Sequence, residues 1–242
     1  MRALLLLWIW VGLATPVLAA SWGYEGDAGP SHWGALSPEF GVCDTGRNQS
    51  PVDIHNALPA SMAPLSLQYD AGPGARITNN GHTIQVDFER GNDLILDGES
   101  FALVQMHFHA PAEHTINGRQ YPFEAHLVHA NDNGDLAVLG VLFEEGAPHL
   151  GLMRLWSHMP VDAGVTQPMQ IKVLPSSLLP ARLDHYRFSG SLTTPPCSEG
   201  VRWLVLENPV QASSQQIETF RSVMGQDTNR PIQPLNGRVI VR

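Results

Sequence analysis

One lysine, at position 172, occurs in 242 residues, and no basic run makes up for it. Lysine and arginine together number 14 against 23 acidic residues, a formal charge of −9 with histidine neutral. A nucleic-acid-binding surface needs the opposite balance, so that class of partner is excluded. Charged residues of both signs are sparse at 15%, while 43% of the chain is hydrophobic, which is incompatible with disorder or a collagen-like repeat. No internal repeat or low-complexity linker divides the sequence, and its length suits one large domain with a sizeable core. No apolar run reaches the ~20 residues of a membrane-spanning helix. Only two cysteines occur, Cys43 and Cys197, and neither lies where an N-terminal lipid would attach. No hydrophobic tail closes the chain, which argues against a lipid-anchored C-terminus.

What the N-terminus does carry is Arg2, an apolar stretch from Ala3 to Ala14, and the small residues of Val17-Leu18-Ala19-Ala20. Residues 1–20 read as a secretory signal peptide cut after Ala19 or Ala20, leaving one mature domain over 21–242. The expected compartment is the periplasm, with secretion as the alternative. Export to an oxidising space makes a single Cys43–Cys197 disulfide the expected state of the two thiols.

Twenty-two glycines and 19 prolines punctuate the chain into short segments and point to a mainly β fold. Apolar/polar alternation predicts strands over Thr83–Phe88, Val104–His109 and Glu124–His129. The nearly continuous apolar runs Leu136–Phe143 and Val201–Leu206 predict central strands buried on both faces. Ser213–Met224 predicts a helix, with Ser213 and Gln216 as a capping box and Ile217, Phe220 and Met224 as its apolar stripe. A shorter helix is expected over Gly151–His158, and an irregular arm over the first thirty mature residues.

Histidine, at 11, is the one residue in excess. His107 and His109 are two apart in a strand, so both rings leave one face. A turn around Asn117-Gly118 would bring the next strand back and set His126 beside them. Three neutral imidazoles with one open position are the ligand set of a catalytic zinc ion. The same alternation puts Gln105 on the face of His107 and Glu124 on that of His126. Both suit a group that accepts the second ring N–H and fixes the tautomer. His129 falls on the opposite face. His32, His55, His114, His149, His158 and His185 lack such support and read as surface or structural residues. One rival pattern exists: His107-x-His109-x3-Glu113 also fits the first metal motif of a cupin, but no second cupin motif follows.

Longer strings follow one another along the chain: His32-Trp33-Gly34, Gln49-Ser50-Pro51-Val52-Asp53-Ile54, Asn79-Asn80-Gly81-His82, Gln105 to His109, Glu113-His114-Thr115, Glu124 to His129, Ser191 to Pro196, and Arg230 to Asn236. In this order, and over nearly all of residues 21–242, the sequence resembles the α-class carbonic anhydrases. The resemblance implies a single domain built on a central, mostly antiparallel, twisted sheet of about ten strands with short peripheral helices. It implies reversible hydration of CO2 to bicarbonate, with Zn2+ held by His107, His109 and His126 and with Gln105 and Glu124 orienting two of them. His82 matches the proton shuttle. Thr193 matches the residue that orients the attacking oxygen and donates its own proton to Glu113. Val128, Val138, Leu192, Val201 and Trp203 match the apolar wall where CO2 rests. Thr194, also a substrate contact, joins Tyr24, Asn80 and Gln85 on the hydrophilic wall. Cys43 and Cys197 sit where bacterial and secreted members carry a disulfide. Thr228 stands where Asn is common, at a position whose backbone carbonyl faces a zinc ligand. Bacterial relatives are often dimers, so a homodimer is implied by analogy alone.

Overall fold

The computed structural model describes residues 21–70, 74–169 and 174–242. The predicted signal peptide and Lys172 lie outside the described residues. The strands in chain order are β1 (Asp53–Ile54), β2 (Ser66–Tyr69), β3 (Gly74–Asn79), β4 (Ile84–Phe88), β5 (Asn92–Leu96), β6 (Glu99–His109), β7 (Thr115–Ile116), β8 (Arg119–Gln120), β9 (Phe123–Ala130), β10 (Leu136–Glu145), β11 (Thr166–Pro168), β12 (His185–Ser191), β13 (Glu199–Leu206) and β14 (Val210–Ala212). Short helices α1 (Trp33–Leu36) and α2 (Val42–Thr45) lie in the N-terminal arm; α3 (Leu150–Trp156) and α4 (Ser214–Met224) follow the central strands.

Among the described residues eleven strands form one large sheet, in keeping with the expected sheet of about ten. Its main path runs β11-β3-β4-β6-β9-β10-β13-β12, with β5 on β6, β2 on β5 and β14 on β10. Within this sheet, among the described residues, only the β10–β13 and β10–β14 pairings are parallel. Strand β10 is therefore central and covered on both faces, and its burial is continuous from Ala137 to Phe143. That is why its sequence reads as an apolar run with no alternation.

Strand β6 carries the device that aims the site. Phe101 and Leu103 point into the core, and so do Met106 and Phe108, which breaks the two-residue period between 103 and 106. The break is a bulge: Leu103 pairs with His129 and Gln105 with Val128, leaving Val104 as the extra residue. A bulge inserts one residue and resets which face follows. Gln105, His107 and His109 consequently leave the face opposite Met106 and Phe108. On that core face, Phe123, Ala125 and Leu127 of β9 meet Leu152 and Leu155 of α3 and Ile217 and Phe220 of α4. The capping box of Ser213 and Gln216 opens α4, and Gly225 ends it at φ 70. The other face carries a second apolar cluster, including Val128, Val138, Val201 and Trp203.

The Asn117-Gly118 turn plays a different part from the one expected. It closes the small β7–β8 hairpin, which joins β1 in a separate three-stranded sheet. Both turn residues have positive φ, 49° and 76°, as a tight two-residue hairpin requires. Strands β6 and β9 still pair antiparallel, and His107 stands directly opposite His126.

His129, on the core face, is wholly buried. Its Nδ1–H donates to the Ala137 carbonyl at 3.2 Å, and its Nε2 accepts from the Tyr69 hydroxyl at 2.6 Å. Burial holds its pKa down to about 4 and pushes the Tyr69 phenol up. The unfolded chain therefore binds a proton near pH 6.5 that the folded chain refuses until about pH 4. This contribution is fully present above about pH 6.5 and is lost as pH falls towards 4, by about 3 kcal/mol in all. We expect the wild-type urea midpoint to fall between pH 7.5 and pH 4.5 by more than that of His129→Gln. Equal pH dependence in the two proteins would rule this out.

Candidate metal centre

Each of the three histidines has one ring nitrogen committed to an acceptor. His107 Nδ1 donates to Gln105 Oε1 at 2.8 Å. His109 Nδ1 donates to the Thr228 carbonyl at 2.5 Å. His126 Nε2 donates to Glu124 Oε1 at 2.9 Å. A carbonyl or carboxylate oxygen can only accept, so these bonds fix all three tautomers. The remaining lone pairs, on His107 Nε2, His109 Nε2 and His126 Nδ1, belong to rings whose centroids lie 4.7–5.1 Å apart. The three residues each offer a nitrogen within 4.8 Å of the other two.

Burial disfavours a proton on these rings. It holds His107 well below the ordinary histidine range, with His109 and His126 adding repulsion, and it lowers His109 as well. For His126 burial is outweighed by Glu124 and Glu113, which raise it. Glu124 is fully buried, yet His114 and His126 hold its carboxyl well below the carboxylate range against the burial penalty. Its Oε2 accepts the backbone N–H groups of Glu113 and His114, at 2.8 and 2.9 Å, and its Oε1 also accepts from His114 Nδ1 at 2.8 Å. Gly140 stands opposite His126, and a Cβ there would lie 3.1 Å from Glu124 Oε1.

Two buried polar atoms facing this pocket have no hydrogen-bond partner, His109 Nε2 and Glu113 Oε2. They lie 3.5 Å apart, and Glu113 Oε2 is 3.9 Å from His126 Nδ1. Three converging neutral nitrogens, with an unsatisfied buried lone pair among them, are a donor set that fits a divalent ion of zinc's preferences. Glu113 Oε1 accepts the backbone N–H of Arg230 at 2.9 Å.

Thr193 is buried in the loop after β12, which Leu192 N–H→Ser198 O (3.0 Å) and Cys197 N–H→Thr194 O (2.9 Å) close into a turn. Among the described residues no hydrogen bond joins Thr193 to Glu113, whose Oε2 lies 3.5 Å from His109 Nε2. That departs from the contact the resemblance implied. Val128, Val138, Val201 and Trp203 form one cluster with Leu192 packed against it, and the Trp203 ring is 4.9 Å from that of His126. Across the sheet Gln85 stands opposite His107, and its Nε2 donates to Asp87 Oδ1 at 2.6 Å. Asn80 Oδ1 accepts the His82 and Thr83 backbone N–H groups. The His82 ring stacks on Trp22 at 3.8 Å, its Nδ1 is buried without a partner, and burial lowers its pKa. Burial and the Glu113 carboxylate hold the Tyr24 phenol well above its ordinary range. Cys43 and Cys197 are joined in a disulfide.

Some contributing residues escape a reading by alternation. His114, expected at the surface or in a structural role, is wholly buried and serves Glu124. Val104 is 46% exposed on the site face because of the bulge, which the parity break in β6 could have revealed. The Arg230 N–H comes from a distant loop and has no local signal at all.

Such a pocket, on one face of a large twisted sheet, defines a histidine-lined metalloenzyme. The chain belongs to the eukaryotic-type carbonic anhydrase family, which it matches over residues 28–242. It is 53% identical over 220 residues to a carbonic anhydrase of Pectobacterium atrosepticum, covering 91% of this chain and 90% of that one. The solved α-carbonic anhydrase of Thermovibrio ammonificans, in complex with the inhibitor sulfanilamide, is 50% identical with a TM-score of 0.90, over 92% of this chain and 99% of that one. A hyperthermostable carbonic anhydrase from a hydrothermal vent chimney is 52% identical with a TM-score of 0.89, over 91% and 99%. Hydration of CO2 is the general reaction of this family.

Proposed function

We propose that the chain catalyses the zinc-dependent reaction CO2 + H2O ⇌ HCO3⁻ + H⁺, with His107, His109 and His126 as the ligands. The observation that carries this reading is the tautomer set: three different acceptors leave three lone pairs converging on one buried point. Held by His107, His109 and His126, a zinc ion would supply a Lewis acid able to bring the pKa of water into the neutral range, an established property of carbonic anhydrases.

The surrounding residues do the rest. CO2 is apolar and uncharged, so the Val128, Val138, Leu192, Val201 and Trp203 wall holds it by burial alone, and a net charge of −9 neither helps nor hinders its arrival. Thr193 and Thr194 border that wall from their loop. The Thr193 hydroxyl can accept from the attacking oxygen while its own proton turns to the Glu113 carboxylate, which restricts the attack direction. Gln105 and Glu124 keep the ligand rings from rotating. Tyr24, Asn80 and Gln85 offer polar groups to water on the opposite wall. His82 carries the released proton outward; its imidazole stacks on Trp22, and imidazole is the side chain whose ordinary range suits proton exchange with neutral buffers. The Cys43–Cys197 disulfide supports an oxidising compartment, and the N-terminal segment supports export to the periplasm. Among the described residues no helix is long and apolar enough to cross a membrane.

The test is metal analysis combined with stopped-flow CO2 hydration on purified mature protein. One equivalent of zinc is expected, with activity lost to a chelator, restored by zinc, and inhibited by sulfanilamide. Full activity in metal-free protein would sink the reading. His82→Ala is expected to lower turnover about tenfold in dilute buffer and to regain much of it with added imidazole. Turnover that is unchanged at every buffer concentration would place the proton route elsewhere.

A further inference from the structure

We infer that Arg230 is a positioning residue for this centre: its buried guanidinium clamps the Thr228–Arg230 segment, and two backbone groups of that segment set His109 and Glu113. The inference rests on the reading of the three histidines as zinc ligands.

Arg230 is 2% exposed. Its Nη1 donates to Gln49 Oε1 at 2.8 Å and to the Ser50 carbonyl at 2.9 Å, and its Nη2 donates to the Cys43 carbonyl at 2.8 Å. The Trp33 ring centre is 5.7 Å from the guanidinium carbon. All three acceptors are neutral, and no salt bridge to Arg230 occurs among the described residues. Burial lowers the pKa of Arg230 to about 10, so the group stays charged at neutral pH without a bonded counter-ion. An apolar side chain of similar volume would fill this space at no desolvation cost. What it would lack is the rigid fork, which reaches three acceptors on two chain segments at once.

The consequence appears on the backbone side of the same residue. The Arg230 N–H donates to Glu113 Oε1 at 2.9 Å. Two residues earlier, the Thr228 carbonyl accepts from His109 Nδ1 at 2.5 Å. Thr228 is itself locked to the end of β6: its N–H donates to the Ala110 carbonyl at 3.0 Å, and its Oγ1 accepts the Ala110 N–H at 3.1 Å. The two groups lie on adjacent peptide units joined only at Asn229, so holding Thr228 to Ala110 on one side and the Arg230 side chain to its three acceptors on the other restricts where both point. The clamp thus relates one ligand ring to the carboxylate beside the pocket, and it refers both to the disulfide segment at Cys43.

The test uses Arg230→Lys, which keeps the charge and loses the fork, and Gln49→Met, which removes one acceptor from the other side. Four quantities are read on each full mature protein beside wild type. These are melting temperature, the rate of zinc loss to a chelator, the visible bands of the Co2+-substituted protein, and kcat/KM. Arg230→Lys is expected to bind one metal equivalent, to lose it about tenfold faster, to shift the Co2+ bands, and to lower kcat/KM about tenfold. Gln49→Met is expected to move the same readouts in the same direction by less. Lower melting temperatures with wild-type bands, zinc-loss rate and kcat/KM in the folded protein would overturn the inference. Should Arg230→Lys not fold, Gln49→Met decides by the same criteria. A wild type that neither holds zinc nor hydrates CO2 would overturn the zinc reading itself, and the inference with it.

Discussion

His126→Ala is expected to cost nearly all bound zinc and to lower hydration by about 1,000-fold or more, because it removes one of the three proposed zinc ligands. His107 and His109 both come from β6, two residues apart, and fix a line along one strand. His126 is the only member of the set from β9, so it supplies the second dimension of the site. Without it, two imidazoles remain, and a two-histidine set binds zinc weakly. Folding should survive. Glu124 loses one of its four donors and keeps the His114 ring and two backbone N–H groups. Its buried charge therefore stays mostly compensated, at a cost of about 1–3 kcal/mol. Glu124→Gln, by contrast, leaves the ligand in place and should weaken zinc binding by only about 10–100-fold. Metal analysis, a melt and stopped-flow hydration on the two variants separate these effects. Stoichiometric zinc with wild-type turnover in His126→Ala would show the ligand assignment to be wrong.

How much of this could be read beforehand depends on how local each signal is. Strand faces are set by a two-residue period, so the common face of His107 with Gln105, and of His126 with Glu124, was legible in the chain itself. The N-terminus of α4 was legible for the same reason, since a capping box lies within four residues. The apparent hairpin at Asn117-Gly118 misled, because a turn signal fixes a turn without saying which strands flank it. Val104 was hidden by a bulge, whose one trace in the chain is the broken two-residue period between the apolar pairs Phe101/Leu103 and Met106/Phe108. The third tautomer acceptor is a backbone carbonyl 119 residues from its histidine, at Thr228. A carbonyl has no side-chain identity, so only the family resemblance pointed to it. His114 shows the same limit from the other side, being a buried partner of Glu124 whose short-range sequence carries no mark of burial.

Reduction of Cys43–Cys197 is expected to lower the melting temperature by about 10 °C and kcat/KM by about tenfold in protein that remains folded. The bond joins residues 154 apart. Closing so long a loop in the unfolded chain accounts for up to about 5 kcal/mol of stability in the loop-entropy account, and about 3 kcal/mol is the usual yield. The effect on rate has a separate origin. Cys197 ends the turn that holds Thr193 and Thr194, its N–H donates to the Thr194 carbonyl at 2.9 Å, and its own carbonyl accepts from Gln49 Nε2 at 3.0 Å. Cys43 packs in one cluster with Trp33, against which Trp22 and Tyr24 also lie, and Trp22 is the ring that stacks on His82. The Cys43 carbonyl also receives Arg230 Nη2. Release of the bond therefore loosens the threonine turn, the aromatic seat of His82 and one acceptor of the Arg230 clamp together. Mass spectrometry of unreduced peptides checks the bond. A melt and a kcat/KM measurement on reduced wild type and on the Cys43→Ser/Cys197→Ser double variant check its two effects. A lower melting temperature with unchanged kcat/KM would confine the disulfide to stability, and no change in either would remove it from both roles.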